Sequence, residues 1–314
     1  MVVNLIGVWF AMATAVTGNN AAPPQQRSDL RALIFTATVT KSSFVLYEPV
    51  TVQYRVANPT ATSINATVLM RESPPFIEFT ITGPDGGTQK YLPRGIDCKT
   101  VVGGGLEKPG SVKVSEAELD WNRASSNWAF PVPGKYRIDA KKWVGNDPDP
   151  VYLEARPIEI EVKEPSGVDA EAIKSFASKD DFLRLIRDGA SEYCDGRTGP
   201  ACFEELDGFL RTNLASSYAP GLIWNLAESV ATGLIKVTPR EDLAVGLFKQ
   251  FLTQWPTHPN APRVMYSLAL VLDKAGRHQE AMDVMQGFER TFPEQKGRAE
   301  QLQNNLHWGA ARAK

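Results

Sequence analysis

The sequence predicts a multidomain β + α chain: an N-terminal antiparallel β-sandwich over residues 30–164, followed by α-helical hairpin repeats over residues 168–314. Three observations predict it. From about Leu30 to Glu164 apolar and polar residues alternate, the period of strands with one buried face. After Pro165-Ser166-Gly167 the apolar spacing changes to three and four, the period of helices. Within the helical half the text matches itself at fixed offsets, the mark of stacked helix pairs.

The chain has 314 residues, 43 % of them hydrophobic, which suffices for two domains with their own cores. Its 34 basic and 36 acidic residues give a net charge of −2. A polyanion partner needs a basic excess or stripe, so nucleic acid is not expected as the main partner. No interior apolar run reaches the roughly 18 residues a bilayer span requires.

Val2 to Val16 is apolar and uncharged, and the polar, proline-bearing TGNNAAPPQQRSD follows it. That pattern predicts a signal peptide over residues 1–20, a linker over 21–29, and a secreted or periplasmic mature chain. Ala11-Met12-Ala13 and Ala13-Thr14-Ala15 are candidate cleavage triplets. Among the cysteines, Cys194 and Cys202 bracket the turn-rich DGRTGPA between two helical patterns, which predicts a disulfide; Cys98 is left over. The alternative is three reduced thiols. No CxxC pair occurs, and His258, His278 and His307 lack ligand spacing, so neither a metal nor any other cofactor is expected.

The predicted strands follow in order. Val50, Val52, Tyr54 and Val56 share one face of VTVQYRVA. Ile77, Phe79 and Ile81 alternate with Glu78 and Thr80, and Ile158, Ile160 and Val162 alternate with charged residues. Turn signals separate them at Asn58-Pro59, Gly83-Pro84-Asp85-Gly86-Gly87, Lys108-Pro109-Gly110 and Pro133-Gly134. Short strands so punctuated favour a sandwich. Tyr136, just after the Pro133-Gly134 turn, resembles the tyrosine corner of Greek-key sandwiches, whose hydroxyl bonds back to nearby backbone. Phe44 to Asn58 is similar to the early strands of bacterial immunoglobulin-like domains. The resemblance implies an Ig-like superfold without the antibody cysteine pair or core tryptophan. The acidic loop Asn146-Asp147-Pro148-Asp149 is expected to be solvated rather than to hold calcium, Asn65-Ala66-Thr67 is a glycosylation sequon, and Gly103-Gly104-Gly105 is expected to be a flexible loop.

In the helical half, Ser178 heads a cap region before Phe182, Leu183, Leu185 and Ile186. Phe209-Leu210 precedes Ala219-Pro220 as Phe251-Leu252 precedes Ala261-Pro262, an offset of 42. Ala244, Phe248, Phe251 and Trp255-Pro256 match Ala281, Met285, Phe288 and Phe292-Pro293 at an offset of 37. The two offsets reconcile if the earlier unit carries five extra residues between its helices, near GLIKVTPRED. Leu268-Ala269, Leu272, Gly276, Ala281, Phe288 and Pro293 fall where tetratricopeptide repeats place their packing residues, and the segment resembles that family. Gly276 would end the first helix and Pro293 the second, with Glu294 to Trp308 as a capping helix. The resemblance implies a groove lined by first helices that binds a protein or peptide. Its lining would include Trp224 and Glu228 in one unit and Arg263, Tyr266, Leu270 and Asp273 in the next. Trp224 and Tyr266 are equivalent at the 42-residue offset and would be either paired anchors or packing between units.

No HExxH, Walker, GxSxG or dinucleotide motif occurs, so no enzyme is expected. The expected function is a secreted or periplasmic, non-catalytic protein-binding scaffold that recognises its partner in the helical groove. The alternative makes the sandwich the active module, as an inhibitor or adhesin-like carbohydrate or protein binder. The two domains are expected to fold independently, with a break near residue 166.

Overall fold

A computed structural model describes residues 30–66, 77–92, 105–145 and 151–312. The signal and linker segments, Cys98, the 146–149 loop, Gly103, Gly104 and the sequon's Thr67 lie outside the described residues. Strands occupy the N-terminal half and helices the C-terminal half. One sheet has the order β1 (Ile34–Val39), β3 (Val50–Ala57), β8 (Val112–Leu119). The larger sheet runs β2 (Ser43–Val45), β13 (Ile158–Lys163), β11 (Gly134–Val144), β5 (Ile77–Thr82), β6 (Thr88–Tyr91), and β12 (Val151–Glu154) also pairs with β11. Two further ribbons join β4 (Ile64–Ala66) to β7 (Gly105–Glu107) and β9 (Trp121–Asn122) to β10 (Asn127–Trp128). Pairing is antiparallel except between β2 and β13, which are parallel and so depart from the expected all-antiparallel pattern. The short connection over residues 40–42 carries the chain from the first sheet, through β1, to the edge of the second, through β2.

The alternation in sequence becomes burial. Ile158, Ile160 and Val162 are buried while Glu159, Glu161 and Lys163 are exposed. Val52, Tyr54 and Val56 of one sheet join Ile77, Phe79, Ile81, Tyr136 and Ile138 of the other in a single apolar cluster. Each fully buried aliphatic side chain contributes about 1.5–3 kcal/mol. The Tyr136 hydroxyl donates to the Val132 carbonyl at 2.6 Å, the backbone contact its position predicted. Gly83 N–H donates to Gly87 O at 2.8 Å and closes the β5–β6 hairpin.

Eight helices follow among the described residues: α1 (Val168–Lys174), α2 (Lys179–Tyr193), α3 (Gly199–Thr212), α4 (Ala219–Ala231), α5 (Arg240–Gln254), α6 (Ala261–Lys274), α7 (His278–Thr291) and α8 (Lys296–Arg312). Ser178 caps α2, its hydroxyl accepting from Asp181 N–H at 3.1 Å. Gly276 adopts φ 76° beyond α6. There Arg277 N–H reaches Leu272 O at 2.9 Å and Gly276 N–H reaches Asp273 O at 3.0 Å, which satisfies two carbonyls at the helix end. The helical core holds Phe182, Leu226, Phe248, Phe251, Leu268 and Leu302. It is a second cluster, separate from that of the sheets, and Tyr47 packs against both.

The sequence offsets are visible as geometry. Both α4 and α6 begin with Ala-Pro; Ala219 N–H bonds Ser216 O and Ala261 N–H bonds His258 O, 42 residues apart. The second offset also holds. Trp255 packs against Phe251 and Phe292 against Phe288 with inclined rings, each with centroids 5.5 Å apart, where α5 and α7 end. The link over residues 232–239 is five residues longer than that over 275–277, as the offsets required.

Candidate binding face and interdomain cleft

Helices α4 and α6 carry the six residues expected to line a groove, and all six are half-buried. Trp224 and Glu228 lie one turn apart on α4, and the indole N–H donates to Glu228 Oε1 at 3.4 Å. Ser267 of α6 donates to the same oxygen and ties the two helices. The Arg263 guanidinium sits over the Trp224 ring, 5.9 Å from its centroid. Trp224, Glu228 and Arg263 thus form one cluster. Tyr266 turns elsewhere and accepts a 2.7 Å hydrogen bond from Asn305 of α8. Among the described residues no ring contact joins Trp224 to Tyr266. Leu270 packs at the margin of the helical core, and Asp273 contacts His278 at 2.6 Å at the far end of α6.

Arg263 is committed within the chain. Its Nε lies 3.2 Å from Glu116 Oε2 and its Nη2 donates to the Glu116 carbonyl at 2.7 Å. Glu116, on β8, is fully buried. Arg298 Nη2 reaches the same Oε2 at 3.1 Å, Gln295 Nε2 donates to Oε1 at 3.2 Å, and Arg298 Nη1 holds Gln295 Oε1 at 2.7 Å. A buried carboxylate needs this density of charge and hydrogen bonds. One residue pair along, Asn260 Nδ2 donates to Glu118 Oε1 at 2.5 Å. Tyr218, equivalent to Asn260 at the 42-residue offset, donates its hydroxyl to Leu46 O at 2.8 Å. Burial pushes that phenol's pKa up, so it stays a donor. The residues that precede the two Ala-Pro helix starts therefore both anchor the helical region to the β region. The outer face of β8, an edge strand, is covered by helix starts instead of lying open.

Beside this closed contact lies a cleft of about 480 Å³ between the two regions. Lys41, Phe44, Glu48 and Thr51 line it from the β side, Trp255 and His258 from the helical side. Its β wall is a strained turn: Glu48 N–H bonds Val45 O at 2.9 Å, and Tyr47, at the third position, has φ 73°. That conformation suits glycine, and a bulky side chain adopts it only where its surroundings hold it. The Tyr47 ring is held by Trp128 at 5.1 Å and by the Lys179 ammonium at 5.1 Å. Glu48 follows, with Oε2 accepting from Val45 N–H at 3.0 Å and Oε1 paired with Lys41 at 2.5 Å. Burial raises the Glu48 pKa. Across the cleft, burial, reinforced by the Lys41 charge, pushes His258 down to about 4. Its Nδ1 accepts from Asn260 N–H at 3.1 Å, which places the proton of the neutral ring on Nε2.

Cys194 and Cys202 form a disulfide, with Cα atoms 5.7 Å apart, and join the end of α2 to α3. Among the described residues no group of three metal-capable side chains converges, and no helix is long and apolar enough to cross a membrane. Sequence reasoning missed Glu116 and the whole cleft. Glu116 shows in sequence only as a charge on the outward face of a strand.

No protein-family model matches the chain, and no curated protein matches it. Similar solved structures include the alkylpurine DNA glycosylase AlkC of Pseudomonas fluorescens bound to DNA containing an abasic site analogue, with 9 % identity over 42 % of this chain and 30 % of that one, at a TM-score of 0.27. The CARDB domain of a Pyrococcus furiosus protein in complex with di-metal ions is 14 % identical over 42 % of this chain and 87 % of its own, with a TM-score of 0.24. The ApaA protein of Bordetella pertussis is 15 % identical over 41 % of this chain and 93 % of its own, with a TM-score of 0.25. Likenesses of this strength carry no argument about the chain.

Proposed function

We propose that this chain is a non-catalytic binding protein of an oxidising compartment, secreted or periplasmic. It holds a protein or peptide partner on the face formed by α4, α6 and α8. In this reading the helices are tetratricopeptide-like pairs and the β region is an immunoglobulin-like sandwich that fixes their starts. The observation that carries it is that Trp224 and Tyr266 are half-buried aromatics at equivalent positions of successive helices, with the Glu228 carboxylate one turn from Trp224. Amphipathic aromatics of this kind lose little rotamer freedom on binding and serve as anchors. Arg263 drops out as a free contact because Glu116 holds it. The disulfide supports the compartment.

The test is a pull-down from native-host extract with the mature protein, followed by affinity measurements on the captured partner. Trp224→Ala and Tyr266→Ala should each weaken binding by about 2 kcal/mol with little change in melting temperature. A large fall in melting temperature with unchanged affinity among folded molecules refutes the anchor role.

A further inference from the structure

We propose that the cleft between the β and helical regions is a second binding site, for an uncharged saccharide. The cleft's 480 Å³ falls within the range of about 300–1,000 Å³ typical of small-molecule sites, which favour domain interfaces. Its chemistry selects the ligand. On its wall Lys41 and Glu48 form an ion pair that is neutral as a unit, and the His258 ring, whose Nδ1 accepts from Asn260 N–H, is neutral. A carboxylate ligand would find Lys41 already paired and Glu48 beside it. A cationic ligand would meet Lys41. A purely apolar ligand would shut the Lys41–Glu48 ion pair and the His258 ring away from water, at a desolvation cost. A sugar ring meets all of these conditions. Each hydroxyl both donates and accepts, so neighbouring hydroxyls fit an acceptor such as Glu48 next to donors such as Lys41 and His258 Nε2–H. The C–H face of the ring suits the half-buried indole of Trp255.

The strained turn supports the same conclusion. Tyr47 at φ 73° is an uncommon conformation for a large side chain, and the turn it completes sets Glu48 in the cleft wall. Strain of this kind is concentrated at sites where one side chain must be held in place. The turn is also where the regions meet, since Leu46 O accepts the Tyr218 hydroxyl. A ligand there would touch both regions at once.

The experiment is saturation-transfer NMR and titration calorimetry on the intact chain with cellobiose, maltose, lactose and N,N′-diacetylchitobiose, and with glucuronate and glucosamine as charged controls. The expected result is saturable binding of at least one neutral disaccharide, in preference to both charged controls. Glu48→Gln and Trp255→Ala should each weaken it at least tenfold, and Trp224→Ala should leave it unchanged, which separates the cleft from the helical face. Trp255 also packs on Phe251, so Lys41→Met, at a half-exposed side chain, provides a second variant, its folding checked by melting temperature, and should weaken binding as well. Absence of saturable binding for all four neutral sugars, preference for a charged control, or wild-type affinity in both Glu48→Gln and Lys41→Met overturns the proposal.

Discussion

At one end of the seam between the β and helical regions, Glu116 is enclosed by Arg263, Gln295 and Arg298 and is fully buried. At the other end Lys41, Glu48 and His258 border a cleft of about 480 Å³. The difference follows from the chain that approaches each end. At the closed end the helix starts at Asn260 and Gln295 come directly down on β8, and long planar side chains fill what remains. At the open end the arriving segment is Trp255-Pro256-Thr257-His258-Pro259, whose prolines offer no N–H to the β side and whose backbone turns on itself, His258 N–H bonding Trp255 O at 3.1 Å. One end is therefore built for cohesion, and the other retains polar groups for something else to meet.

The largest expected effect tests the closed end. Glu116→Ala leaves two guanidinium groups without their carboxylate. Loss of one partner of a buried pair costs about 3–5 kcal/mol. Arg263 and Arg298 keep 23 % and 21 % side-chain exposure, which puts the expected loss near the lower figure. Urea denaturation reads it; a change too small to resolve would mean that the seam is not closed in solution. Next is the disulfide. Its loop spans a sequence separation of 8, for which chain entropy gives about 2–3 kcal/mol. Reduction should raise hydrogen exchange in α2 and α3, and in the 214–217 loop that walls the cleft, while β8 stays protected. Equal loosening at both ends would erase the distinction between them.

Smaller still is Asn260→Ala, which removes the bond to Glu118 and should cost about 1–3 kcal/mol in the same denaturation experiment. The open end should also respond to acid. His258 has a lowered pKa when folded, so its contribution is complete above its ordinary value near 6.5 and is lost as pH falls towards about 4. Glu48 is shifted upward, so its contribution has the opposite sign and grows as the carboxyl protonates. His258→Gln should remove the acid-induced loss between pH 6.5 and 4 and leave the Glu48 gain. An unchanged pH profile would mean that the ring is solvated in the folded chain.

Much of the fold was legible because its signals are local. The alternation of Ile158, Ile160 and Val162 is itself the face of a strand, and Ser178 caps a helix whose first turn adjoins it in sequence. The offsets of 42 and 37 were legible because equivalent residues meet equivalent neighbours, down to the matched Phe251–Trp255 and Phe288–Phe292 contacts. The expected site was legible only in part. Trp224 and Glu228 lie together because a helix turn brings them together, whereas the Tyr266 hydroxyl was claimed by Asn305, 39 residues on. Glu116 and Arg263 are 147 residues apart, and nothing in either's neighbourhood marks the other. Tyr47 gave no warning either, since its backbone angle is imposed by packing from both cores.

The account rests on the two regions being joined through Glu116 into a single body that presents both the helical face and the cleft. A double-mutant cycle on Glu116→Gln and Arg263→Gln, read by urea denaturation, tests that contact directly. Residues in direct contact couple by about 0.5–3 kcal/mol, and independent residues add within about 0.5 kcal/mol. The account predicts a coupling of at least about 1 kcal/mol, within the range for contacting pairs. Strict additivity of the two substitutions would contradict it.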